Sequence, residues 1–185
     1  MIATKETPVK IKWAFDTAHS EIGFKVKHLM ISNVKGSFKE FGAWIYTNDE
    51  NFTGADIDIW IEAASITTGD DKRDEHLKGP DFFDVSNHKL ITFTGNTYEK
   101  KVDGETFELY GDLTIKGVAK RIKLDVEFGG HMKDPWGNEK AGFTVTGKIN
   151  RKEWGLNWNA ALEAGGILVS EDVHIICEVQ LSKQA

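Results

Sequence analysis

One cysteine, Cys177, and three prolines are all that 185 residues hold of the two residue types that staple or interrupt a chain. A single thiol excludes an internal disulfide, so the fold draws no support from an oxidising compartment and must be held by packing. With proline so scarce, and confined to predicted loops and ends, an extensive hydrogen-bonded sheet meets no obstruction. Long apolar runs are also missing. Nothing approaches the roughly 20 apolar residues of a bilayer-spanning helix, and Met1 to Lys12 lacks the apolar core of a secretion signal. The expectation is a cytoplasmic protein without stable membrane insertion, or a periplasmic one if a leader has been removed, with residues 1–8 flexible. Positive charge is in deficit: 23 Lys and Arg stand against 29 Asp and Glu, a net charge of −6. That balance disfavours nucleic acid as a partner, and acidic membranes should repel the chain as well. No histidine pair has a zinc spacing, and Asp70, Asp71 and Asp74 do not follow a calcium loop, so neither metal nor cofactor is expected.

What is present is alternation. Val9, Ile11, Trp13 and Phe15 interleave with Lys10, Lys12 and Ala14, while Ile122, Leu124, Val126 and Phe128 interleave with Arg121, Lys123, Asp125 and Glu127. Successive strand side chains point to opposite faces, so each such ribbon has one apolar and one wet face. Strand signals run through Val9–Phe15, Ser20–His28, Val34–Thr47, Gly54–Ala63, Leu90–Tyr98, Glu105–Ile115, Ala119–Phe128, Ala141–Ile149 and Leu168–Leu181, about eight or nine strands in all. Asp103-Gly104, Lys116-Gly117, Gly129-Gly130 and Trp136-Gly137-Asn138 supply the turn chemistry of antiparallel neighbours. Two segments break the rhythm. A short helix is predicted within Thr67–Gly79, capped by Thr67 or Thr68 and stopped at Gly79-Pro80, and a second within Trp158–Ala164, ended by Gly165-Gly166.

With no composition break, residues 1–185 read as one all-β domain. Eight or so strands with one apolar face each form a sandwich or a closed barrel, and closure removes the edges that an open sheet must protect. A small barrel is either packed solid or leaves room for one ligand. Alternation alone leaves both open. An apolar cavity would select a lipid, because a buried methylene contributes about 0.8 kcal/mol whereas a charged group loses hydration without repayment.

Several blocks of sequence narrow the choice. Trp13-Ala-Phe-Asp16-Thr-Ala-His19-Ser20-Glu-Ile22-Gly-Phe24-Lys-Val26-Lys-His28, Lys35-Gly36-Ser-Phe38-Lys-Glu-Phe41, Arg73-Asp74-Glu-His76-Leu77 with Asp81-Phe82-Phe83-Asp84, Gly111-Asp-Leu113-Thr-Ile115-Lys-Gly117-Val, Arg151-Lys-Glu-Trp154-Gly155-Leu156 and Asn159-Ala-Ala-Leu-Glu-Ala-Gly165-Gly166 occur in one order from about Trp13 to Leu181. Together they resemble the signature blocks of the YceI-like family. The resemblance implies an extended, lipocalin-like antiparallel β-barrel with one or two short helices near its mouth, whose apolar tunnel holds a polyisoprenoid such as a prenyl quinone or prenyl phosphate. It further implies a carrier or reservoir rather than a catalyst. Departures from the family pattern at Asn87-His88 and at Ser170-Glu171-Asp172 fall in loops and bear on head-group preference. Trp154 stands where Phe is usual.

Parity places Ile22, Phe24, Phe38, Ile57 and Ile59 on the apolar lining, together with Phe82, Phe83, Phe93, Phe143 and Trp154. The family motif adds His28, Arg73, His76 and Arg151 for the head group. The bland reading of Arg73 and Asp74 is that they pin the helix to the barrel rim. Asp16, His19 and Ser20 invite a triad reading, but polar residues beside a turn more often satisfy backbone groups. Cys177 shares parity with Val173, Ile175 and Val179 and reads as a small buried residue, not a reactive thiolate. His174 should face outward. Two alternatives stand beside the carrier: an enzyme acting on a lipid with His19, His28 or His76 as acid or base, and an interaction module with a filled core. A homodimer is compatible with all three.

Overall fold

The computed structural model describes residues 9–52, 54–100, 106–163 and 165–185. The residues 1–8 expected to be flexible, the Asp103-Gly104 turn and Ala164 lie outside them. Eleven strand segments follow in order: β1 (Ile11–Phe15), β2 (Glu21–His28), β3 (Ser32–Phe38), β4 (Phe41–Thr47), β5 (Asp56–Glu62), β6 (Ile66–Thr67), β7 (Leu90–Lys100), β8 (Thr106–Ile115), β9 (Val118–Lys133), β10 (Glu139–Asn150) and β11 (Val169–Lys183). One α-helix, α1 (Asp71–Lys78), and short 3-10 turns at 17–19, 63–65 and 151–154 interrupt them.

The eleven segments make a ring of eight. β1 and β2 both pair with β11, through Phe15↔Leu181 and Glu21↔Glu178, so they are two lengths of one strand broken at residues 16–20. β3 and β4 pair in turn with β2 and β1, and β6 and β5 with β3 and β4. β5 then pairs with β7, and β7 to β11 follow as an antiparallel meander that closes on β1 and β2. The structure is thus a closed, eight-stranded, all-β barrel. Each break lies where a long strand must bend to stay on a strongly curved sheet. That is why Val34–Thr47, one aromatic-rich stretch in the sequence, is two strands parted at Lys39-Glu40.

The register sets one apolar face inward throughout: Val173, Ile175, Cys177 and Val179 on β11 face the bore, while His174 and Glu178 are exposed. Of the two expected helices only the first forms. Its cap is Asp70, whose side chain accepts from the Arg73 amide at 3.0 Å. Thr67 is in β6 instead, and Thr68 is held by Asp74. Residues 158–163 are not helical, because the carbonyls a helix would need are taken elsewhere. Arg151 binds the Trp158 carbonyl and the Leu168 amide binds the Ala160 carbonyl, each at 2.9 Å, while the Asn159 side chain ties the segment to the amide and carbonyl of Val169 at 3.1 and 2.7 Å. An isolated Ala161↔Ile167 bridge and left-handed Gly165 and Gly166 then reverse the chain. Side-chain competition of this kind outweighs the propensity of an alanine-rich run.

Candidate functional site

The two ends of the barrel differ. At one end lie the β4–β5 and β9–β10 connections, and here the bore is plugged by aromatic rings. Trp13 and Phe52 are 4.8 Å apart, Phe52 meets Phe143 edge-on at 4.8 Å, and Phe128 lies 5.2 Å from Phe143. Trp13 is fully buried and donates its indole N–H to Thr47 Oγ1 at 3.1 Å. At the other end the β2–β3 and β8–β9 turns, α1 with the residues after it, and the β10–β11 connection surround a mouth.

Between plug and mouth the barrel is hollow. A cavity of about 590 Å³ runs from Phe15, Leu109 and Val179 near the plug to Thr68, Arg73 and Trp158 at the mouth. Its wall explains an otherwise odd burial pattern. Phe24, Ile59, Ile122, Val145, Ile149 and Ile175 face inward yet are only half-buried, because their inner surfaces meet empty space and not one another. The filled-core alternative requires those side chains to meet.

Glycine keeps the bore open at two places. Gly36 stands opposite Phe24, and a methyl on it would sit 2.3 Å from the Phe24 ring. Gly111 stands opposite Gly95, and a methyl on Gly111 would sit 2.5 Å from the Phe93 ring. With no side chain beneath them, both rings lie flat along the wall and leave the centre clear.

Of the residues assigned to the lining by parity, Ile22, Phe24, Phe38, Ile59, Phe82, Phe83 and Phe93 do face the cavity. Three do not. Ile57 packs half-buried toward the plugged end, Phe143 belongs to the plug itself, and Trp154 is fully buried behind the wall with its indole N–H on the Leu113 carbonyl at 2.9 Å. Parity fixes the face of a strand but not the depth along the bore. It also passed over Ile61, Ile91, Leu109, Leu113, Val145 and Ile149, which line the same space.

All four head-group candidates are at the mouth, but their surroundings differ. His28 ends β2 and has no carboxylate partner among the described residues. Arg73 donates to Thr68 Oγ1 and to the Thr68 carbonyl at 2.7 and 2.8 Å, while buried Asp74 accepts from the Thr68 amide and hydroxyl at 2.9 and 2.6 Å. These two residues therefore do pin α1 to the end of β6, and Arg73 still faces the cavity. His76 stacks edge-on against Phe82 and Trp158, with Nε2 2.9 Å from Asp81. Arg151 is buried at 3% exposure and donates to the carbonyls of Leu156 (2.6 Å), Trp158 (2.9 Å), Ser170 (2.9 Å) and Val169 (3.3 Å). Burial pulls its guanidinium below the usual value, partly offset by the charge of Glu171. Its donors tie down the β10–β11 connection, a structural use that the motif did not disclose. Among the charged side chains lining the cavity, Lys72, Arg73 and Arg151 are cationic and Asp70 is the acid, so cations outnumber acids on the lining itself although the chain is acidic.

The triad reading fails on geometry. His19 Nδ1 lies 3.0 Å from Asp16, but Ser20 Oγ exchanges hydrogen bonds with the backbone of Gln180 at 3.2 and 3.0 Å. Asp16 is claimed by Lys140 at 2.8 Å. Cys177 is buried on the cavity wall, and burial pushes its thiol up to about 11.

Comparison with known proteins agrees with this architecture. The YceI-like domain profile matches residues 13–181. A UPF0312 protein of Staphylococcus aureus is 41% identical over 172 residues, covering 92% of this chain and 96% of its own. The crystal structure of a Campylobacter jejuni YceI protein superposes with a TM-score of 0.72 at 39% identity, covering 92% of this chain and 96% of that one. A polyisoprenoid binding domain from Saccharophagus degradans shares the fold at a TM-score of 0.66 and 14% identity, over 93% and 98% of the two chains.

Proposed function

We propose that this chain, which belongs to the YceI-like family, holds one long isoprenoid lipid in its barrel and leaves it chemically unchanged. The observation that carries the reading is the cavity: apolar along its length, plugged at one end, and lined by cations only where it opens. An apolar tail enters such a space by shedding water, and the rim offers hydrogen-bond donors to a head group rich in oxygen, a prenyl quinone or a prenyl phosphate. The fold shared with a polyisoprenoid binding domain is in keeping with the same ligand class.

Size sets the scale. An isoprene unit packed at interior density takes on the order of 100 Å³, so the cavity of about 590 Å³ accommodates roughly six units. At about 0.3 kcal/mol per heavy atom, a tail of ~30 carbons binds with about 9 kcal/mol, a submicromolar affinity.

Native mass spectrometry of freshly purified protein, followed by lipid extraction, tests this. Near-equimolar isoprenoid is the expected result, lost when Val145→Phe and Ile175→Trp fill the bore of a barrel that stays folded. A ligand-free protein that takes up no prenyl lipid would overturn the proposal. The His76–Asp81 pair is the arrangement an acid/base enzyme would use. Extracted lipid whose structure changes on incubation, in a manner abolished by His76→Gln, would favour that second reading over storage.

A further inference from the structure

The β2–β3 turn is built against its own backbone preference. Leu29 and Met30 have φ of 52° and 60°, and the Ile31 amide bonds to the His28 carbonyl at 3.2 Å. Two successive left-handed residues make the tight turn that Asn-Gly fits without strain and that branched or long apolar side chains fit poorly. Here the strained positions carry Leu and Met, followed by Ile31, and the three are 39%, 59% and 83% exposed. The hairpin is held in place on its inner side, where the Leu29 amide bonds to the Leu168 carbonyl at 2.8 Å. Apolar side chains are thus displayed to solvent, at a backbone cost, beside the opening of an apolar cavity. Leu90 and Val118, at the starts of β7 and β9, are exposed at the same end.

The outer wall below this tip bears a second unfavourable feature. Reading across the sheet in register, Lys35 of β3 stands opposite Lys25 of β2, Lys25 opposite His174 of β11, and His174 opposite Lys148 of β10. Phe24, Val26 and Val34 line the cavity, so this basic row points outward, with Lys27 one step nearer the tip. Like charges directly opposite in a sheet are destabilising. None of these lysines makes an ion pair among the described residues. Of the acids at this end, Asp70 accepts from the Arg73 amide, Asp74 accepts from Thr68, Asp81 meets His76 and Glu171 pairs with Lys152, while Asp71 on α1 and Asp172, two residues from His174 on β11, stand exposed. The net charge of −6 therefore conceals a local positive face.

We propose that the β2–β3 hairpin and the basic row beside it dock the mouth onto an anionic lipid bilayer, with Leu29, Met30 and Ile31 entering the interface and Lys25, Lys27, Lys35 and Lys148 meeting the head groups. Apolar insertion next to cationic contacts is the chemistry of reversible interfacial binding. It gives a buried lipid a route that avoids open water, and in that sense rests on the carrier reading. The hairpin and row residues do not line the cavity, so lipid extracted from their variants reports on the carrier reading separately.

The test is flotation of the full chain with empty vesicles of phosphatidylglycerol and phosphatidylcholine, against vesicles of phosphatidylcholine alone. Retention on the anionic vesicles, reduced at least tenfold by 0.5 M salt, is expected. Leu29→Asn with Met30→Gly installs the turn pair that the backbone prefers, so it should raise thermal stability while cutting retention at least tenfold. Lys25→Gln with Lys35→Gln and Lys148→Gln should cut it as far, whereas Trp136→Ser, at the plugged end, should leave it unchanged. Absence of retention, or retention unaltered by the hairpin exchange, overturns the proposal. So does a hairpin-dependent dimer in sedimentation without vesicle binding, which would assign the surface to a second copy of the chain.

Discussion

Replacing Arg151 by Met separates two uses of a cation at the mouth. The substitution keeps an unbranched stem but removes every donor from the guanidinium. Val169 keeps the Asn159 amide as a partner at 2.7 Å, whereas the Leu156, Trp158 and Ser170 carbonyls lose the side-chain donor that now holds each of them. A buried acceptor left unpaired costs about 1–3 kcal/mol. Even at the low end, three such losses amount to about 3 kcal/mol, within the range for breaking a buried charged contact. For a domain of this length each kcal/mol moves Tm by roughly 2–4 °C, so a fall of at least about 6 °C is expected in lipid-free protein, measured by circular dichroism. Arg151→Lys should recover only part of it, since one ammonium cannot reach carbonyls in three directions. If Arg151 served a head group alone, lipid-free stability would not change. A Tm within about 2 °C of the unaltered chain, with lipid affinity lost, would refute the clamp.

Other expectations follow from the same geometry. Gly36→Ala brings a methyl to 2.3 Å from the Phe24 ring, so the ring swings into the bore, and titration should show prenyl-lipid affinity weakened about tenfold at little cost in Tm. Gly111→Ala meets not only the Phe93 ring but also rigid backbone, 2.6 Å from the Thr94 carbonyl oxygen, and should lower stability by about 1–3 kcal/mol in chemical denaturation. Burial pushes the Asp16 carboxyl up, but Lys140 and His19 outweigh it and hold it below its ordinary 3.8. Its stabilisation is complete above that value and fades as pH falls through the lower, folded one; the Tm gap between the unaltered chain and Asp16→Asn should be present at pH 7 and shrink as pH falls below 3.8, and a gap independent of pH would contradict the assignment. With its thiol near 11, Cys177 should react with a maleimide at pH 7.5 more than about a hundredfold slower than a free cysteine.

How far this could be read from sequence depends on which physical rule was at work. Alternation found every long strand, because a half-buried strand imposes period two on its residues whatever the surrounding fold. It could not find the breaks that make eleven segments into eight ring positions. Those come from barrel curvature, a property of the closed sheet. The α1 segment was legible through its acids and its Gly-Pro stop, although the cap moved to Asp70 once Asp74 had drawn Thr68 to itself. The Trp158–Ala164 helix was misread because its competitors, Arg151 and Val169, are remote in sequence or reach it only through the fold.

The site was legible at one remove. Inward parity put Ile22, Phe24 and Phe93 on the wall, but parity is the same for a wall and a plug, so Phe143 and Phe24 look alike in the sequence and differ only in depth. Whether the centre is hollow follows from cross-strand pairing, which sequence does not display. Gly36 beneath Phe24, and Gly95 with Gly111 beneath Phe93, are ring-and-gap pairs made by register. Had alanine stood at Gly36, the Phe24 ring would be tipped across the bore, and the same alternating pattern would describe a narrower channel. Three glycines, unremarkable in a chain with 18, therefore bear more directly on the cavity than most of the aromatic residues that line it.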